Sequence, residues 1–297
     1  MLELDSKRNA NWRGLIFCRS CHIFDRRCAH CCDNSAMFID SHCHLDFPEL
    51  LADQDAILKL MRENKVTHAL TISTTLKSFP AVRAVAEAHA NMWCSAGVHP
   101  DEQVDDHEPT VEELLALAAH PKVVAIGETG LDYFRLQEPL DWQRERFRIH
   151  IRAAKACQKP LVIHTRNAYE DTLRLMREEG AAAVGGVMHC FTETQAVADA
   201  AMEMNFHISF SGIVTFKNAK DLKEVARRVP LNRMLIETDS PYLAPMPYRG
   251  KMNQPGYVKH VAEHIAELRG ISVEEVAAAT TENFFRLFKD AKTSAQV

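Results

Sequence analysis

From residue 37 onward one pattern repeats eight times: a short run of β-branched and apolar residues, a loop, then a stretch with apolar residues at helical spacing. The strand-like runs fall at 38–45, 67–73, 92–100, 123–132, 160–166, 185–190, 207–212 and 234–241. Helix-like stretches follow at 52–64, 80–90, 111–120, 140–158, 168–179, 193–204, 219–229 and 258–268. Strands that are apolar on both faces must be covered on both faces, and strands joined through helices run parallel. Eight such units in ~260 residues match a closed barrel better than two open-sheet domains. No Pro/Ser-rich linker interrupts the series. The expected architecture is α/β, a single (β/α)8 TIM barrel over 37–292, with a C-terminal helix at 273–289 packed against it and a tail at 293–297.

Residues 1–36 do not share the pattern. Five of the nine cysteines (Cys18, Cys21, Cys28, Cys31, Cys32) lie there, as two Cys-x-x-Cys pairs six residues apart. Common zinc modules separate such pairs by ~15–20 residues, and this segment offers few apolar side chains to pack round an ion. The expectation is an irregular, Cys-rich extension without its own fold; the alternative is that Met37, directly before the first strand, is the true start. Cys43, Cys94, Cys157 and Cys190 are scattered through the body and expected to be reduced.

The net charge of −5 is also uneven: the first 36 residues carry +2 and the remainder −7. An acidic body excludes a broad electrostatic footprint on duplex nucleic acid. It allows a small anionic substrate if cations supply the local positive charge. The chain lacks the ~18–20 unbroken apolar residues of a membrane helix, and the N-terminus lacks the apolar core of a secretory signal. A cytoplasmic protein with no membrane partner, plausibly a monomer, is expected.

Ionisable residues gather at the C-terminal ends of the strands. Strand one ends in Asp40-Ser41-His42-Cys43-His44, strand three in Gly97-Val98-His99-Pro100 and strand four in Gly127-Glu128-Thr129-Gly130-Leu131-Asp132. Strands five, six and eight end in His164-Thr165-Arg166, His189-Cys190-Phe191 and Glu237-Thr238-Asp239-Ser240-Pro241. That rim is where barrel enzymes place their chemistry. Histidines and carboxylates converging there are costly to bury unless something neutralises them, and divalent cations take both as ligands. His42 and His44, two apart on a strand, face the same way. The six donors His42, His44, Glu128, His164, His189 and Asp239 exceed what one tetrahedral ion needs. They suit two divalent cations, with Glu128 of the central strand as the bridge.

These residues resemble the TatD-type metal-dependent deoxyribonucleases of the amidohydrolase-like barrel superfamily, over residues 38 to about 290. The resemblance is carried by FIDSHCHL (38–45), GVHP (97–100), GETGLDY (127–133), PLVIHTR (160–166), HCF (189–191), LIETDSPY (235–242), RGKMNQP (249–255) and NFFRLF (283–288). It implies that His42, His44, Glu128 and Asp239 hold one cation and Glu128, His164 and His189 the other, the metal being Mg, Mn or Zn. No lysine stands at the bridging position, which favours phosphoester over C–N bond chemistry.

The implied activity is cleavage of phosphodiester bonds from an end of single-stranded DNA by metal-activated water, with Asp239 as ligand and general base and Glu128 as the catalytic bridge. A metal-dependent ester or amide hydrolase, such as a D-aminoacyl-tRNA deacylase, is the alternative; a non-catalytic nucleic-acid or metal-binding module is a second. Substrate contacts are expected from His99 and Arg166 to phosphate, from Tyr133 and Phe191 by stacking on a base, and from Arg249, Lys251 and Asn253 to the backbone. Each has a structural alternative: a rim salt bridge for Arg166, mouth packing for the two aromatics, and a structured turn for 249–253. Glu237 is expected to support a histidine, Asn283 to pack or hydrogen-bond in the tail, and Cys43 and Cys190 to pack.

Overall fold

A computed structural model of the chain describes residues 36–103, 107–134 and 140–294. The expectations for residues 1–35, including the paired cysteines, and for 295–297 lie outside the described residues.

The eight expected strands are present: β1 (Phe38–Cys43), β2 (Val66–Thr71), β3 (Met92–Ala96), β4 (Val123–Asp132), β5 (Leu161–Arg166), β6 (Gly186–Met188), β7 (Phe206–Phe210) and β8 (Met234–Ile236). They pair in parallel in chain order. The seam between first and last strand is closed by a bridge between Cys43 and Ser240, with His44 N–H donating to Ser240 O and Asp239 N–H to His42 O, both at 2.9 Å. The result is a nearly closed eight-stranded barrel.

Around it run α1 (Pro48–Leu51), α2 (Gln54–Glu63), α3 (Phe79–Ala88), α4 (Val111–Ala118), α5 (Asp141–Cys157) and α6 (Tyr169–Glu178). They are followed by α7 (Gln195–Glu203), α8 (Lys220–Arg228), α9 (Val258–Arg269), α10 (Val273–Leu287) and α11 (Lys289–Ser294). Capping boxes start two of them, Thr110 with Glu113 at α4 and Ser272 with Glu275 at α10. One turn of helix, α1, escaped the sequence reading because four residues are too few to show a period; Pro48 at its first turn is the local signal. α11 extends into the expected tail. No helix among the described residues is long and apolar enough to cross a membrane.

Strand alternation sorts the core into two layers. Ile39, Leu70, Trp93, Val124, Val162, Val187 and Leu235 form one cluster, closed by Phe284 of α10, by Phe288 just after that helix and by Ala291. Their chain neighbours Phe38, Ala69, Met92, Val123, Leu161, Met188 and Met234 join the larger cluster that receives the helices. Asn283 of α10 donates to Leu231 O at 2.6 Å and Met234 O at 2.8 Å, fixing that helix to β8.

The apolar filling takes the N-terminal part of the strands and leaves the C-terminal ends polar. Several strands stop earlier there than the residue pattern suggests: β3 at Ala96, β6 at Met188 and β8 at Ile236. The backbone leaves the ladder where the polar residues begin. Cys190 (φ 43°) and Asp239 (φ 56°) adopt left-handed conformations that break the pleat.

Candidate metal centre

Glu128 sits at the middle of the mouth. The glycines on either side of Glu128-Thr129 let β4 press against β5: Gly127 (φ 143°) would put a Cβ 2.6 Å from Val162 O, and Gly130 (φ 133°) 2.0 Å from His164 O. Any other residue at either position would push the two strands apart. Held there, Glu128 turns its oxygens to different partners. Oε1 lies 2.7 Å from His189 Nε2, 3.2 Å from His164 Nδ1 and 3.4 Å from His99 Nε2, while Oε2 lies 3.3 Å from His42 Nε2.

The second group of donors comes from β1 and the loop after β8. Asp239 Oδ1 lies 3.4 Å from His44 Nε2 and 3.6 Å from His42 Nε2. The His42 ring is stacked on His189 at 3.9 Å. Beneath them, Asp40 accepts from Thr238 N–H (2.9 Å), Thr238 Oγ1 (2.5 Å) and His42 N–H (3.2 Å), tying β1 to the chain that carries Asp239. Burial, and after it the charge of Glu237, pushes the Asp40 carboxyl up to about 8.

Several of these imidazoles present one nitrogen to the cluster and give the other to a protein oxygen, the arrangement that orients a histidine ligand. His164 Nε2 lies 3.1 Å from Asp132 Oδ2, and His189 Nδ1 lies 3.3 Å from Glu237 Oε1. His44 Nδ1 faces Ile72 O at 3.3 Å, and His99 Nδ1 pairs with Asp101. Neither nitrogen of the fully buried His42 makes a well-formed hydrogen bond, although Glu128 and Asp239 lie within reach. An uncompensated buried imidazole is expensive. Nitrogen and oxygen donors crowded round it are what a divalent cation requires.

The protonation balance agrees. Burial alone would raise the Glu128 carboxyl, but the imidazoles of His189, His99 and His42 outweigh it and hold it well below its ordinary range. Asp239 is likewise kept low, against its burial, by His44 and His42. His189 is driven well above an ordinary imidazole, against its burial, by Glu128 and Glu237. Burial and the charge of His189 lower His42. The carboxylates stay ionised and demand positive charge beside them. Among the described residues, three triads have donor atoms close enough for one ion: His42/His44/Asp239, His99/Glu128/His164 and His42/His189/Glu237.

All six expected donors therefore converge. His99, expected as a substrate contact, stands as near to Glu128 as His164 does. Above them opens a cavity of about 570 Å³. Its lining includes Phe47, Ile213, Tyr242 and Leu243 together with Thr74, Asp101, Asp132 and Arg166. Arg166 is the one guanidinium or ammonium among the described lining residues, its plane 3.7 Å from the ring of Phe134 rather than in a salt bridge.

Other expectations are corrected. Phe191 is 2% exposed and belongs to the apolar core, so its ring has no free face for a base. The Tyr133 hydroxyl donates to Asp171 at 2.7 Å and accepts from Arg144 at 2.9 Å, outside the cavity lining. Arg249 lies over Phe216 at 4.4 Å, also outside that lining. Asn253 is buried and donates to Thr238 O at 2.8 Å and Tyr242 O at 2.6 Å, bracing the loop that carries Asp239 instead of facing the cavity. Cys190 lines the cavity, while Cys43 is buried.

Residues the sequence reading passed over include Asp132, Asp101, Phe47 and Tyr242. Asp132 had a signal, standing an even number of residues beyond Glu128 on the same strand. Phe47 and Tyr242 had none, because loops bring them together; their ring centroids are 6.3 Å apart.

Comparison with known proteins agrees with this geometry. A family model described as TatD related DNase matches residues 39–289. The chain is 48% identical over 253 residues to the metal-dependent hydrolase YcfH of Escherichia coli K12, covering 84% of this chain and 95% of that protein. It is 32% identical over 250 residues to a protein of Citrobacter rodentium named 3'-5' ssDNA/RNA exonuclease TatD, covering 82% and 95%. The crystal structure of YjjV, a TatD homologue from Escherichia coli, superposes with a TM-score of 0.80 at 28% identity, covering 86% of this chain and 98% of that one.

Proposed function

The chain belongs to the TatD-related DNase family of metal-dependent hydrolases, and from that premise we propose that it removes nucleotides from an end of single-stranded DNA. The observation that carries this reading is Glu128, with one oxygen toward His42 and the other toward His189, His164 and His99, at the floor of a cavity of about 570 Å³. A barrel mouth admits a chain end more readily than the middle of a duplex. The relative named as a single-strand exonuclease supports the same substrate class.

His42, His44 and Asp239 would hold one divalent cation and His164 and His189 another, with Glu128 between them. Such ions make water acidic near neutral pH and offset charge on phosphate oxygens. Asp239 accepts the proton of the attacking water at a carboxylate oxygen that the imidazoles of His44 and His42 keep ionised against its burial. Asp101 pairs with His99 Nδ1 and turns Nε2 toward Glu128, 3.4 Å away, beside the place the phosphate or the leaving oxygen would take. Arg166, its plane set by Phe134, forks onto a non-bridging phosphate oxygen pair. Phe47 and Tyr242 take over the base-stacking role first assigned to Tyr133 and Phe191, since they line the cavity.

The test is digestion of 5'-labelled single-stranded DNA, with D-aminoacyl-tRNA in parallel and elemental analysis of the loaded protein. The expected result is a stepwise ladder, abolished by chelator and by Asp239→Asn, with two divalent cations per chain. Release of amino acid without a ladder would replace this reading with the deacylase. A full ladder from Asp239→Asn would refute the proton-transfer assignment.

A further inference from the structure

One face of α5 carries three polar side chains shut off from solvent: Gln143, Arg146 and His150, the last two and the first spaced for a single helical stripe. A barrel helix packs on its strands through apolar residues, and a buried Gln, Arg or His there is costly unless every polar atom finds a partner. Glu108 aside, their partners outside α5 lie in two segments of the mouth.

Gln143 joins the two segments. Its Nε2 donates to Pro100 O at 2.9 Å and Asp132 O at 3.3 Å, and its Oε1 accepts from Asp132 N–H at 2.9 Å. Arg146 Nη1 donates to His99 O and Glu102 O, both at 2.8 Å, while Nε and Nη2 fork onto Glu108 at 2.6 and 2.7 Å. His150 Nδ1 donates to Arg146 O at 2.8 Å, which leaves Nε2 to accept from Val98 N–H at 3.0 Å. The backbone from Val98 to Glu102 is thus pinned by one helix, and so is Asp132.

Those segments carry two imidazoles beside Glu128: His99 directly, and His164 through Asp132. We propose that Gln143, Arg146 and His150 are positioning residues, which fix the spacing of His99 and His164 about Glu128 while touching neither substrate nor cation. The inference rests on the metal-dependent reading of the cluster. The other donor set, His42, His44 and Asp239, is built on β1 and the loop after β8 and makes no contact with the stripe through these bonds. Loosening the stripe therefore acts on one cation position and spares the other.

The experiment titrates Mn²⁺ calorimetrically into Gln143→Leu, His150→Leu and His150→Gln, each first checked for wild-type circular dichroism. It also measures kcat and KM on bis(4-nitrophenyl) phosphate and single-stranded DNA. Loss of supporting contacts to metal ligands typically weakens cation binding ~10–100-fold. The expected result for Gln143→Leu is one site weakened about 10-fold and the other unchanged, with kcat falling by a similar factor and KM moving less. Gln can still accept from Val98 N–H, so His150→Gln should recover most of what His150→Leu loses. Two wild-type sites in folded Gln143→Leu, or equal defects in the two His150 variants, would overturn the proposal. If the wild-type protein binds cations but leaves DNA intact, the nuclease reading fails while the cation titration still decides the positioning role.

Discussion

His150 offers a quantitative check on the buried face of α5. Burial, reinforced by the charge of Arg146 and opposed by the bond to Arg146 O, pushes its imidazole from an ordinary 6.5 down to about 4. A group whose folded pKa lies below its unfolded value is held neutral by the fold. Its contribution is complete above pH ~6.5 and is lost as the pH falls from there through ~4. The drop from 6.5 to about 4 corresponds to about 3 kcal/mol. The geometry supplies the reason: a protonated Nε2 can no longer accept from Val98 N–H, and two donors would face each other in the interior.

The assay is urea unfolding of wild type and His150→Gln in chelator at a series of pH values from 7.5 to 4. Glutamine does not titrate, so contributions from the other histidines are shared and cancel in the difference. The stability gap between the two proteins should shrink, or reverse, by about 3 kcal/mol between pH 7 and pH 4. A gap constant to within about 0.5 kcal/mol over that range would refute the reasoning, because it would mean that His150 has the same proton affinity folded and unfolded.

Two further outcomes follow from the same structure. Asn253→Ala leaves the buried carbonyl of Thr238 and the half-buried carbonyl of Tyr242 without their donor, and should cost about 1–3 kcal/mol in denaturant unfolding. Arg166→Met should raise KM for single-stranded DNA, and lower the slope of log KM against log salt by about 0.7 if the guanidinium contacts one phosphate.

The barrel was readable along the chain because its information is local. Eight apolar runs separated by helical periods leave few architectures that cover every face, and each expected strand was found. The convergence of the candidate donors was readable for a related reason. In a parallel barrel every strand presents the same end to the same rim, so His42, Glu128, His164, His189 and Asp239 gather there once the fold is granted. Phe191 and Asn253 were misjudged because a motif fixes a residue's place in the chain and not the direction of its side chain. The ring of Phe191 turned into the core, and the amide of Asn253 found two carbonyls, one of them fully buried, that needed a donor.

Chain order and residue type alone were enough for the strand count and for the rim at which the histidines and carboxylates gather, since these depend on periodicities of two and 3.6 residues and on every strand pointing the same way. Packing alone decided which oxygen of Glu128 faces which imidazole, that His99 stands beside His164, and that Phe47 and Tyr242 rather than Tyr133 and Phe191 line the cavity. Such contacts join residues up to about two hundred positions apart, as Asp40 joins Thr238 across 198. Their geometry is set by where each strand leaves the ladder and which polar atoms remain to be satisfied in the interior, and neither can be read from a local window of sequence.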